Sequence, residues 1–127
     1  MVPYKLSGTR SECHNSVFVG GTVAVDNTSA AGKIANNIFT GQSVSGVTET
    51  SGTLSTGGGN HYDSTLGITA DSADVNGAHG LKDPVNGNYI PVAEVKGVWH
   101  RTFYDVRPVI FSATPQVGLY SNMLYSA

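Results

Sequence analysis

The chain has 127 residues, a length that suits one domain with a modest core. Gly, Ser, Thr and Asn supply 50 residues, while charged residues make up only 13% and the net charge is −2. That balance excludes an electrostatically driven nucleic-acid binder, and a mean hydropathy of −0.08 with low charge does not suit intrinsic disorder.

Residues 1–15 show no period and include Pro3 and Gly8, so they read as a flexible N-terminal arm. They contain no apolar run of the kind found in a secretory signal, and no window of the chain approaches a membrane span. The lone Cys13 rules out an internal disulfide and fits a reducing compartment.

From Ser16 the pattern alternates. Val17, Val19, Val23 and Val25 mark a strand, with Gly20-Gly21 as a bulge or break. Residues 26–32 carry turn chemistry, and 33–40 and 42–50 read as short strands. Ala30, Ala31 and Ala35 favour a helix, but Asn36-Asn37 and the β-branched Ile34, Ile38 and Thr40 decide against it. No internal repeat stands out.

Residues 51–60 look like a flexible, low-complexity link, followed by a weak strand over 65–70 and a polar loop over 71–80. Asn86-Gly87 predicts a two-residue turn, and 89–101 reads as the strongest strand. Beyond it, Pro108 and Pro115 cut the tail into short pieces. The expected organisation is an arm (1–15), a β-domain (16–105) with a polar insertion (51–88), and an irregular C-terminal tail (106–127). Its fold class is all-β, of a small β-barrel or β-sandwich kind.

Catalytic templates are missing. There is no His-Glu-x-x-His, and the run from Gly41 to Gly46 lacks the glycine that a nucleophile elbow needs two residues after Ser43. Gly57-Gly58-Gly59 precedes no Lys-Ser or Lys-Thr, so it is no phosphate loop. Asp71, Asp74, Asn76 and Gly77 resemble a calcium loop without its closing glutamate, and a solvated Asx-rich turn is the better reading. His14, His61, His79 and His100 are isolated in sequence, Cys13-His14 lies on the arm, and Asn27-Thr28-Ser29 forms a glycosylation sequon. The expectation is no enzyme, no metal and no cofactor.

The order of strands carries a resemblance. A glycine followed by Val-x-Val-Asp (Gly21 to Asp26), a Gly-Val strand (Gly46-Val47) and the segment VAEVKGVWHR (Val92 to Arg101) are similar to the head-decoration, or capsid cement, proteins of tailed bacteriophages of the lambda type. The insertion over 51–88 and the longer aromatic tail depart from that pattern. The resemblance implies a viral structural protein without catalytic residues, a β-barrel-like domain forming homotrimers on the outer capsid surface. It also implies an arm that orders on the major capsid protein.

On that reading the protein is assembled in the host cytoplasm and resides on the virion, without nucleic acid or membrane as partner. Val2, Tyr4, Lys5, Leu6 and Arg10 would dock the arm on the shell by strand addition. Trp99, Phe103, Tyr104, Ile110, Phe111, Leu119, Tyr120 and Leu124 would form the oligomer interface, since the tail is too interrupted to build its own core. The alternatives are a tail, baseplate or fibre component; a carbohydrate-binding β-sandwich using Trp99, His100 and Tyr104; and a small enzyme with a site assembled from His61, His79, Asp and Ser residues.

Overall fold

The structure, a computed structural model, describes residues 2–77, 80–93 and 95–97. Every element of four residues or more is a strand, so the chain is all-β. The strands are β1 (Tyr4–Leu6), β2 (Arg10–His14), β3 (Val17–Val19), β4 (Val23–Asn27), β5 (Ala31–Ala35), β6 (Ile38–Thr40), β7 (Ser45–Glu49), β8 (Thr53–Gly58) and β9 (His61–Tyr62). After them come β10 (Val75–Asn76), β11 (Leu81–Asp83), a single 3₁₀ turn (Pro84–Asn86) and β12 (Asn88–Pro91).

Pairing is parallel throughout the first ten strands. β1, β4 and β7 form one sheet, β2, β5 and β8 a second, and β3, β6, β9 and β10 a third. Tyr4 faces Val25, Arg10 faces Ala31 and Val17 faces Ile38, so each partner lies 21 positions further on. The next step is 22 positions for Val25 to Val47 and 23 for Ile38 to His61. The chain therefore winds three coils, each contributing one strand to each sheet. This is a parallel β-solenoid, and it replaces the expected barrel or sandwich.

The corners explain how such short strands can turn the same way in every coil. Asn15 (φ 54°) and Asn36 (φ 56°) occupy the left-handed region one coil apart, and Gly58 and Gly59 take that place in the third coil. Asparagine tolerates this conformation because its short amide bonds locally, and glycine because it has no Cβ. The corner at Asn36-Asn37 splits the strand expected over 33–40 into β5 and β6. Likewise Gly20-Gly21 separates β3 from β4 as a turn rather than a bulge.

The interior is a column built from all three coils. Leu6, Cys13, Val25, Ile34, Phe39, Val47, Leu54 and Leu66 form one buried cluster. Phe18 and Phe39, opposite each other in the register, stack with ring centroids 5.3 Å apart and planes within 7°. A second cluster joins Ile38 and Val95 to Val17 and Leu81. Ile38 and Phe39 are neighbours on one strand and point to opposite faces, so this cluster covers the outer face of the third sheet.

Three expectations need correction. Residues 1–15 are no unpacked arm: β1 and β2 are strands of the first coil, and Leu6 is fully buried. The arm reading weighed only local apolar area, whereas the strands that hold 4–14 lie 21 residues away. Residues 51–60 are no flexible link either, since they supply β8 and the corner that leads into β9. The polar composition there belongs to the corner and the outward positions. Over 65–70 there is no strand, though Thr65 and Leu66 accept backbone bonds from Gly46 and Val47.

β11 and β12 form an antiparallel hairpin, but residues 84–87 join them through a 3₁₀ turn that ends at the left-handed Gly87, in place of the two-residue turn expected at Asn86-Gly87. The strand expected over 89–101 ends at Pro91 within the described residues. Residues 98–127, which hold every residue assigned to the oligomer interface, lie outside them.

Candidate functional site

Two buried polar ladders tie the coils together. Asn37, fully buried, accepts the Ser16 amide at Oδ1 (3.0 Å) and donates to the Cys13 carbonyl (3.0 Å) and to Asn60 Oδ1 (3.1 Å). Asn60, also fully buried, takes the Asn37 amide at the same oxygen and donates to the Ile34 carbonyl, Thr56 Oγ1 and Asp74 Oδ1. A buried amide costs free energy unless its bonding capacity is filled, and here the neighbouring coils fill it. On the opposite side Asn27 donates to the Ser29 and Ser51 carbonyls, both at 3.0 Å. Asn27 is fully buried, so the sequon it heads is closed to a glycosyl donor in the folded chain.

Asp74 closes the far end of the stack. One carboxylate oxygen accepts the Asn60 amide (2.9 Å), and the other accepts Thr56 Oγ1 and the Asp71 amide, both at 2.7 Å. Asp71 in turn accepts the Ala73 amide at 2.9 Å. This is the Asx-rich turn, in which Asp74 and Asp71 accept from backbone and side-chain donors. Together with the bonds from Gly46 and Val47 to Thr65 and Leu66, and the pairing of β10 with β9, it lays residues 64–77 over the third coil. A groove of 730 Å³ remains between β7, β8 and residues 67–71.

The first coil ends differently. β1, β2 and β3 are each the outermost strand of their sheets, and no described residue pairs with their outer edges. A groove of 440 Å³, lined mainly by Val2, Pro3, Tyr4, Phe18, Val19 and Ala24, opens at the corner across the coil from β2. Val2 and Tyr4 are largely exposed there.

The residues proposed to dock an arm are thus distributed through the first coil. Leu6 is in the core, Lys5 pairs with Asp26 at 3.6 Å, and Arg10 pairs with Glu12 at 3.7 Å on β2. Asp26 also accepts Thr50 Oγ1 (2.6 Å) and Thr48 Oγ1 (3.1 Å). These hydrogen bonds, that from Thr50 first, hold its carboxyl below the usual range.

The reactive candidates do not converge. Cys13 is buried, and desolvation pushes its thiol upward, away from the thiolate. His14 sits 3.5 Å from Glu12 on the second sheet. His61 belongs to the third sheet, with Nε2 2.7 Å from the Lys96 carbonyl, and burial lowers its pKa. His79, His100, Trp99 and Tyr104 lie outside the described residues, and among the described ones no three His, Cys, Asp or Glu side chains come together around a metal-sized space. Ser43 is an exposed turn residue, and Gly57 to Gly59 form a strand end and corner.

Sequence reasoning did not single out Asn37 and Asn60, and it read Asp74 only as part of a loop. The signal was present in the spacing, because Asn15-Ser16-Val17-Phe18-Val19-Gly20 recurs as Asn36-Asn37-Ile38-Phe39-Thr40-Gly41. No family model, no curated protein and no solved structure matches the chain.

Proposed function

We propose that the chain is a structural module of a bacteriophage particle, a tail, baseplate or fibre component, rather than an enzyme. The supporting observation is the stack itself: three coils of parallel strands locked by buried amides, partly covered at one end by residues 64–77 and, among the described residues, unpaired along the strand edges of the other. Such a column is stiff along its axis and can continue into, or dock onto, further strands. Its chemically versatile side chains serve the scaffold. Asp74 caps a coil, His61 bonds a carbonyl, and Cys13 is core.

Capsid decoration is the second reading. It draws support from β4 and β7, where the Val-x-Val-Asp and Gly-Val segments run as adjacent strands, although in parallel pairing rather than in a barrel. The test is to tag the chain and label purified particles by immunogold electron microscopy. Label on tails or fibres is the expected outcome. Label spread over head surfaces would favour decoration instead, and particles free of the chain would overturn both.

A further inference from the structure

We propose that the first coil, whose strand edges no described residue pairs, is a self-association surface, where two copies meet head to head and join their β2 strands antiparallel across a two-fold axis. Three features converge on it. At the far end Thr65 and Leu66 take the backbone bonds of β7, and β10 pairs with β9, so residues 64–77 obstruct the stacking of a whole coil there, with the β8 edge left open, and a contact made through the first coil alone is isologous.

Of the three first-coil edges that no described residue pairs, β2 is the longest, at five residues, against three each for β1 and β3. β1 is preceded by Pro3 and carries Lys5, features that discourage edge pairing, while β2 has no proline. β2 is therefore the natural strand to pair.

Its sequence Arg10-Ser11-Glu12 is self-complementary when Ser11 lies on the axis. Arg10 of each copy then faces Glu12 of the other on the outer face, and directly opposed unlike charges favour an antiparallel register. The register centred on Glu12 would oppose like charges and is disfavoured. The same axis, passing through the middle of β2, leaves the coil at the corner between β3 and β4. The apolar groove beside Val2, Tyr4 and Phe18 lies there, so groove meets groove and the exposed Val2 and Tyr4 gain an apolar neighbour.

This inference is independent of the particle reading, because it concerns the purified chain alone. The experiment measures mass by sedimentation equilibrium and cross-linking in Ser11→Cys. Residues directly opposed across an antiparallel pair have Cα atoms about 4.5–5.5 Å apart, within disulfide range. The expected results are an even number of chains per particle and a two-chain disulfide-linked species on a denaturing gel after mild oxidation. Arg10→Glu, at a position that is mostly exposed, should raise the dissociation constant at least tenfold with an unchanged circular dichroism spectrum. A monomer at ~100 µM, or an odd number of chains, would overturn the proposal. So would a folded Ser11→Cys protein that stays unlinked. Should Ser11→Cys fail to fold, the Arg10→Glu result decides alone, and an unchanged mass there counts against it.

Discussion

At the scale of single residues, the fold rests on polar side chains that a hydrophobic-core argument passes over. Asn37 fills its amide with three partners in two coils, so Asn37→Ala strips the Ser16 amide of its side-chain acceptor and takes a donor from both the Cys13 carbonyl and the buried Asn60 Oδ1. Each orphaned buried group costs about 1–3 kcal/mol, and a loss of about 3 kcal/mol is expected in urea unfolding. Gly67 makes a contrasting case with Gly8. Both have positive φ, but a Cβ on Gly67 would fall 1.9 Å from the Val47 carbonyl oxygen, whereas one on Gly8 meets nothing within 4 Å. Gly8→Ala should therefore cost only the left-handed strain of about 1–2 kcal/mol, and Gly67→Ala distinctly more, by the same measurement.

His61 gives the chain a pH dependence with a definite sign. Burial favours its neutral form, so its folded pKa lies below the value of about 6.5 that it has when unfolded. The unfolded state then binds more protons as pH falls, so this contribution is complete above about pH 6.5 and is lost below it. His61→Gln should flatten the fall in unfolding free energy between about pH 7 and pH 5 relative to the parent chain. Equal slopes in the two proteins would show that His61 is not held neutral.

At the scale of elements, the strands were more legible than their partners. Alternation located β3, β4 and β7, and Asn86-Gly87 located the final hairpin. What alternation cannot encode is the partner, since a strand of three residues pairs equally well with a hairpin neighbour or with a strand one coil away. The repeat of Asn-x-Val/Ile-Phe-x-Gly at 21 residues held that information. It is faint because the third coil replaces it with Gly59-Asn60-His61-Tyr62-Asp63, in which only the aromatic position is retained. That position matters energetically. Phe39 is sandwiched in the register between Phe18 and Tyr62 and is almost completely buried. Phe39→Ala should cost about 3–5 kcal/mol, enough to threaten the whole stack. A loss below about 1 kcal/mol would mean that the column does not depend on its aromatic layer.

For the whole molecule, the arrangement of coils fixes where stability resides. The middle coil, β4 to β6, has hydrogen-bonded strands on both sides. The third coil is paired on one side and partly covered by residues 64–77 on the other, while no described residue pairs with the outer edges of the first coil. This asymmetry was invisible in the sequence, because the segment that looked like a loose arm is the exposed coil and the one that looked like a linker is the covered coil. In a stack where each repeat touches only its neighbours, local opening starts at the end that loses least. Native-state hydrogen exchange in dilute protein should therefore find the slowest amides in β4 to β6, intermediate ones in β7 to β9 and the fastest in β1 to β3. Raising the concentration should slow exchange in β2 most, because an edge that pairs with its own copy is protected by mass action while the other coils are not. Uniform exchange across all three coils would mean that the stack opens only as a unit, and the ends would then hold no separate reserve of free energy for assembly.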